Sequence, residues 1–205
     1  KSDPCQEANP ALTFTVKEKF HNDIFWGLGK VHSDIEVIFP PDMEQVFEKA
    51  LKGKDPATIT GKYYLNGDVA YHLDSPAINL PTASDELRWK GMTVDVSSRH
   101  GENNLTLDGK GIELVKAGET LLSMTALKIN SKGHTSDNGL NVGYSELLLG
   151  LVEINKLPPI NKSFSLKNIK IRGDVELKEK LANLLADYSV GEVTIDDQGS
   201  GKGPA

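Results

Sequence analysis

Alternation of apolar and polar residues is the feature of this sequence that most constrains its fold. In the middle of the chain Ile59, Tyr63 and Leu65 alternate with polar neighbours, and the alternation resumes after Asn66-Gly67. Because successive side chains of a β-strand point to opposite faces, a period of two indicates strands with one apolar face. The sequence therefore predicts a fold rich in antiparallel strands.

The connection at Asn66-Gly67 is predicted from the way the apolar residues must face one another. A two-residue loop would oppose Leu65 to Asp68 and put the apolar sets of the two strands on opposite faces. A three-residue loop instead opposes Leu65 to Val69. The hairpin is therefore predicted to use a loop longer than two residues.

Two further irregularities are predicted nearby. A four-residue loop within residues 105–114 would oppose Leu107 to Ile112, which indicates a second hairpin. The apolar residues switch from odd to even positions between Trp89 and Met92. Gly91 is therefore predicted to form a β-bulge.

Two short helices are predicted from apolar spacings of three and four residues. The first runs from about 43 to 52, with Gly53 placed to end it. The second runs from about 175 to 188 and carries an apolar stripe. The stripe consists of Leu177, Leu181, Leu184, Leu185 and Tyr188.

The remaining strands and the fold class follow from the same patterns. Further strands are expected at 12–19, 31–39, 120–130, 140–154, 163–172 and 190–195. These elements predict a mainly β fold, either an extended curved antiparallel sheet or two packed sheets, with the two short helices covering apolar sheet surface. A single β-rich domain is expected at 12–197, with a flexible lead at 1–11 and a disordered tail at 198–205.

Charge and motifs argue against several functional classes. The formal charge is −6, and the sequence contains no stripe of Lys and Arg that could bind a phosphate backbone. Nucleic acid is therefore not expected as a partner. The five histidines lack metal-binding spacings, and Asp95, Ser97, Ser98 and His100 lie in no nucleophile elbow. We expect no metal, no cofactor and no catalytic residue. The single cysteine, Cys5, excludes an intramolecular disulfide.

A family resemblance begins at the first helix. The run VFEKALKGKDPATI at 46–59 and YYLNGD at 63–68 resemble the YdgA-like family of bacterial envelope proteins, and the likeness continues to about residue 129. These motifs are a helix stop and turn residues, so they imply a shared fold. The resemblance further implies a periplasmic, non-enzymatic protein, tethered to the membrane only through a segment that this chain does not contain. It assigns no functional residue.

The most unusual apolar segment runs from 147 to 152, where both faces of one strand are apolar. Such a strand must bury both faces, so the second helix, a second subunit or a lipid is expected on one of them. The candidate apolar groove consists of Leu147, Leu149, Leu151, Val152, Leu181 and Leu184.

The function expected from these features is a non-catalytic envelope module that binds a partner protein, a second copy or an apolar, lipid-like ligand along a sheet face. Two alternatives stay open. One is a hydrolase that acts on an envelope polymer, and the other is a purely structural or assembly domain.

Overall fold

The computed structural model describes residues 15–22, 30–51, 53, 55–81, 85–137, 141–155, 162–178 and 181–196. The predicted lead at 1–11 and tail at 198–205 lie outside these residues. The elements in chain order are β1 Thr15–Asn22, β2 Lys30–Ile38, α1 Pro41–Leu51, β3 Thr58–Tyr64, β4 Val69–Ser75, β5 Ile78–Pro81, β6 Asp85–Trp89, β7 Met92–Arg99, β8 Glu102–Lys116, β9 Glu119–Thr135, β10 Asn141–Ile154, β11 Ser163–Lys178 and β12 Leu181–Asp196.

All twelve strands belong to one open antiparallel sheet. The main path runs β1-β2-β3-β4-β7-β8-β9-β10-β11-β12, while β6 pairs with β5 and with β8. The prediction of a mainly β, antiparallel fold is confirmed. The alternative of two packed sheets is wrong for the described residues, which form one sheet and one helix. No helix in those parts of the chain is long and apolar enough to cross a membrane.

The helix α1 follows the sequence signals closely. Its first residue is Pro41, whose missing N–H costs nothing at a helix start, and Gly53 beyond its end has a left-handed φ of 80°. The rings of Phe39 and Phe47 pack at 4.9 Å, and Leu51 is buried. Packing of α1 against β5 places the helix beside one end of the sheet.

The sheet has one apolar and one polar face, because directly opposed residues of an antiparallel pair lie on the same side. We define the apolar face by one row that crosses ten strands. This row consists of Glu18, Ile35, Ile59, Leu73, Val94, Leu107, Ile129, Leu147, Ile171 and Tyr188. The adjacent row on the other face is polar from one edge to the other. It consists of Lys19, Asp34, Thr60, His72, Asp95, Thr106, Asn130, Glu146, Arg172 and Asp187.

The alternation reverses along one line across β8–β12. We call this line the phase-change row; it consists of Lys110, Ala126, Gly150, Asn168 and Gly191, which the ladders leave unpaired. Ala126 and Asn168 have left-handed φ values of 53° and 52°. On β9 and β11 a residue outside the β region therefore interrupts the two-residue alternation, and the apolar positions of these strands change parity there.

The apolar face nevertheless continues past the phase-change row. The next apolar row consists of Trp89, Ile112, Met124, Val152, Leu166 and Val193. Trp89 Nε1 donates to Ser75 Oγ at 3.0 Å, which ties this row to the side of the sheet that carries Leu73. The two apolar halves therefore form one face.

The predicted break at Gly91 is correct, but its description as a β-bulge is wrong. Trp89 opposes Ile112 and Met92 opposes Gly109, so both strands contain the same number of residues between the pairs. The break lies beside the phase-change row, and Gly91 has a left-handed φ of 97°.

The predicted hairpin at 105–114 is also wrong. These residues belong to the single strand β8, and Leu107 pairs with Ile129 rather than Ile112. At the phase-change row the alternating apolar positions shift by one residue. A turn between two strands can produce the same shift, so the sequence pattern resembled a hairpin.

The hairpin at Asn66 has a loop longer than two residues, as predicted, but a different register. The N–H of Tyr64 donates to the carbonyl oxygen of Asp68 at 2.9 Å, which leaves three residues in the loop. Gly67 adopts a left-handed φ of 86°. Leu65 therefore lies in the loop, 86% exposed, instead of facing Val69.

The predicted second helix at 175–188 is wrong. Residues 175–178 end β11 and residues 181–188 begin β12, with Lys178 opposed to Leu181. Good helix formers such as Leu, Ala, Glu and Lys fill this segment, but pairing along 16-residue strands overrides that preference.

Candidate functional site

Within the described residues, no second layer of secondary structure covers the apolar face over β8–β12. Among the described residues the apolar side chains that are buried are Leu51, Ile78, Val115 and Val142. The element contacts of β8–β12 are those between neighbouring strands, and α1 packs on β5. An ordinary β-domain buries such a face against a second layer. Here the face is the candidate functional surface.

The structure divides the predicted groove residues between the two faces. Leu147 and Leu149 lie on the apolar face, where Leu149 opposes Leu127 and Ile169. Val152 joins the face beyond the phase-change row, in the row that contains Trp89. These three candidates therefore lie along one stretch of β10.

Leu151 and the β12 candidates have different positions. Leu151 opposes Thr125 and Lys167, on the side where Lys167 contacts Glu192 at 2.9 Å, so Leu151 does not join the apolar face. Leu184 opposes Val175 at the sheet edge and is 74% exposed. Leu181 begins β12, and its side chain lies outside the described part of the structure.

The second apolar side of the 147–152 segment faces lysine residues of the neighbouring strands, and its leucines are half-buried. Leu148 lies on the polar face, directly between Lys128 and Lys170 of the neighbouring strands. The amino groups of these lysines pair with Asp108 and Glu146. Lysine methylene groups can pack on an opposing apolar side chain while the amino group stays in water, so this side can remain half-exposed.

Glycines and serines leave a depression at one end of the apolar face. Its volume is about 300 Å³, and its lining includes Gly133, Gly143, Gly173, Val175 and Leu184. Gly133 and Gly143 oppose each other, so two neighbouring strands lack side chains at this point. The depression gives the otherwise filled apolar surface a recess beside β12.

A cluster of aromatic residues occupies the opposite end of the apolar face. The ring of Tyr63 lies 5.5 Å from Phe20 and 5.8 Å, edge on, from Tyr71. Ser33 is buried among them, 1% exposed, and its Oγ would lie 2.3 Å from a Cβ added to Gly61. Glycine at position 61 therefore makes room for this packing.

The aromatic cluster carries a chain of hydroxyl groups. Tyr63 donates its proton to Glu18 at 2.5 Å, and the hydroxyl of Tyr71 lies 2.5 Å from that of Tyr63. Burial, followed by the hydrogen bonds with Glu18 and Tyr71, raises the pKa of Tyr63 far above its ordinary value. The sequence shows these residues merely as strand positions, since their contact depends on β1 pairing with β2.

A larger cavity, about 770 Å³, lies where β2 and β3 separate beyond the Ile35–Ile59 pair. Its lining mixes charges of both signs, including Lys17, Glu36 and Asp55. This mixture does not suit an apolar ligand.

The polar face pairs its charged groups locally. His72 Nδ1 lies 2.8 Å from Asp95 Oδ1, and the N–H of His100 donates to Asp68 at 2.8 Å. The bond from His100 lowers the pKa of Asp68, with a further contribution from Asn66. Asp95 is thus engaged with a neighbouring strand rather than with the adjacent serines.

No group of three or more potential metal ligands occurs in the described residues. The exposed part of the apolar face offers surface for apolar contact.

Comparison with known proteins gives a family without an assigned role. No curated protein matches the chain, and no solved structure matches it. The family described as bacterial protein of unknown function (DUF945) matches residues 14–204, which includes every strand of the sheet. The chain belongs to the DUF945 family of bacterial proteins.

Proposed function

We propose that this protein is a non-catalytic envelope module that binds an apolar, lipid-like ligand along the apolar face of its sheet. The observation that carries the proposal is a row of large apolar side chains across β8–β12 that no other described element covers. This row consists of Leu107, Ile129, Leu147, Ile171 and Tyr188, of which Ile171 is 47% and Tyr188 87% exposed.

The energetics favour an occupant on this face. Burying one large aliphatic side chain stabilises by about 1.5–3 kcal/mol, and soluble monomers rarely leave a large contiguous apolar patch in water. Five strands at a spacing of about 4.8 Å span roughly 19 Å, a length that a long acyl chain can follow. The recess beside Leu184 adds room for bulk at one end.

The envelope location rests on the resemblance to YdgA-like proteins, which implies the periplasm. We propose no catalytic role and do not favour the hydrolase alternative, because the described hydroxyl groups that donate to carboxylates are poor nucleophiles. Thr194 donates to Glu192 on an exposed edge strand, and the pKa of Tyr63 is raised rather than lowered. A protein partner on the same face is distinguished from a lipid by the experiments below.

Two adjacent leucines provide a matched test. Leu149→Glu puts a charge on the apolar face, whereas Leu148→Glu puts the same charge between Lys128 and Lys170 on the polar face. We expect wild type and Leu148→Glu to bind an environment-sensitive apolar dye and Leu149→Glu to lose most of the signal, by about tenfold or more in affinity. Circular dichroism checks that both variants keep the fold.

Mass spectrometry of organic extracts from the purified protein then identifies the ligand class. A co-purified lipid in wild type, depleted in Leu149→Glu, supports the proposal. Equal dye binding by both variants, or a folded wild type that binds neither dye nor lipid, contradicts it and favours an assembly role.

A further inference from the structure

The two ends of the main strand path are edge strands with one free side in the described structure. β1 pairs with β2 on one side and β12 pairs with β11 on one side, so each leaves a row of backbone N–H and C=O groups outward. The strand β12 is 16 residues long and contains no Pro, Lys or Arg, the residues that usually protect an edge. Such an edge is a template for a further strand.

The charges of the two edges are complementary. Among its charged residues β12 has Asp187, Glu192 and Asp196, all acidic. On the polar face β1 carries Lys17 and Lys19, for which the described residues provide no ion-pair partner. Antiparallel pairing of β12 with β12 of a second copy would instead bring acids together. With the strands fully overlapped, Asp187 of each chain lies near Glu192 of the other. The basic edge β1 is the better complement.

Strand direction also suits contact between β12 and β1 of another copy. The main path contains ten strands that alternate in direction, so its first and last strands run oppositely. A second copy in the same orientation therefore presents β1 antiparallel to β12. The apolar faces of the two copies then lie on the same side of the extended sheet.

The rows of the sheet predict the register of this contact. Lys19 and Asp187 are the two ends of one polar row, so they face each other when a copy is added without stagger. The same register puts Phe20 opposite Ala186 and Val16 opposite Val190 on the apolar face. Phe20 and Val16 are 59% and 52% exposed in the single chain, so the contact removes apolar surface from water.

From these observations we propose that the protein associates head to tail with a second copy of itself, by β12 of one chain adding to β1 of the next. The interface is heterologous, so it extends to a ring or a filament rather than closing as a two-fold dimer. Each addition continues the apolar face. The inference does not depend on which ligand that face binds.

Charge reversal at the facing pair tests the contact. Asp187→Lys sets two basic side chains against each other across the junction, and Lys19→Asp sets two acids together, so each variant alone is expected to weaken association by about tenfold. In a mixture of the two variants, Lys19 of the Asp187→Lys variant can face Asp187 of the Lys19→Asp variant. The two substituted positions can also face each other, and they too carry opposite charges. The double variant Lys19→Asp/Asp187→Lys likewise restores the pair with its sign exchanged.

Sedimentation velocity at low salt measures the oligomers. The control Asp74→Lys changes the same charge at an interior position of the polar face and is expected to leave association unchanged. Recovery of wild-type association in the mixture and in the double variant supports the proposal. A wild type that stays monomeric, or single variants that associate like wild type, overturns it. Leu149→Glu, which disables ligand binding, is expected to associate normally.

Discussion

At the residue scale, the chain Glu18–Tyr63–Tyr71 is the main polar feature of the apolar face. A tyrosine hydroxyl has one proton, and Tyr63 gives it to Glu18, so that Tyr71 donates in turn to Tyr63. The cluster joins β1 to β3 and β4 although β1 pairs only with β2. It therefore holds the basic edge strand in place by side-chain contacts as well as by its ladder.

The raised pKa of Tyr63 predicts a loss of stability in alkaline solution. The ordinary value is 10.0 and the folded value is higher, so the stabilisation is complete below about pH 10 and falls as the pH rises above it. Tyr63→Phe removes the titrating proton and is expected to flatten this dependence, while costing about 1 kcal/mol at neutral pH through the lost hydrogen bond.

Urea unfolding at neutral pH and above pH 10 measures both effects. Glu18→Gln removes the charge that opposes ionisation of Tyr63 and is expected to give an intermediate dependence. An identical alkaline slope in wild type and Tyr63→Phe would show that Tyr63 does not titrate as proposed.

At the element scale, the phase-change row determines how five long strands keep one apolar face. Gly150 lies beside Ala126, and a Cβ added to Gly150 would lie 2.9 Å from the Cβ of Ala126. The same relation holds between Gly191 and Asn168, at 3.1 Å. Ala126 and Asn168 thus leave little room for a Cβ at Gly150 and Gly191 on the strand that follows each of them.

This arrangement predicts a reciprocal pair of substitutions. Gly150→Ala is expected to cost about 1–3 kcal/mol by overpacking, whereas Ala126→Gly is neutral or stabilising because glycine adopts a φ of 53° without strain. The double variant removes the colliding Cβ and should recover most of the loss. Ala70→Gly, in a regular strand, is the control and should cost about 0.5–1 kcal/mol. Additive effects in the double variant would contradict the contact.

The sequence predicted the strands better than their connections. Period-two alternation identified β3, β4 and the strand character of β8, and the Gly53 stop identified the end of α1. A switch of the apolar residues from odd to even positions has two possible causes, a turn or a left-handed residue within a strand. Both causes give the same pattern in the sequence. The hairpin at 105–114 and the bulge at Gly91 were wrong for this reason, since only the neighbouring strands distinguish the two.

The candidate site was predictable in part. Leu147, Leu149 and Val152 lie on the apolar face. They could be predicted because their alternation and its change of phase are visible in the local sequence. The predicted helical stripe failed because Leu184 and Leu185 are adjacent, which suggests a helix, whereas only Leu184 lies on the apolar side of β12. The Tyr63 cluster depends on long-range pairing and has no local signal.

At the scale of the whole molecule, one extended layer must be stabilised mainly by its ladders and by whatever covers the apolar face. In the described residues two polar side chains, Ser33 and Ser123, are buried beside the four apolar ones. Such a sheet gains less from its own core than a two-layer domain does. Its measured stability should therefore depend strongly on ligand and on association.

Binding of a ligand to the apolar face is predicted to stabilise the folded protein. A ligand that binds the folded state alone raises the free energy of unfolding by about 1.4 kcal/mol for each tenfold excess over its Kd. Lysophosphatidylcholine, kept below its critical micelle concentration, is the probe, since its single acyl chain can lie across the row that contains Leu147. Thermal unfolding of wild type and of Leu148→Glu should shift upward with its concentration, and that of Leu149→Glu should not. A second series in the Asp187→Lys variant separates the ligand from association, because that variant keeps the apolar face intact. An equal shift in Leu149→Glu, or none in wild type, would mean that the acyl chain does not bind along this face.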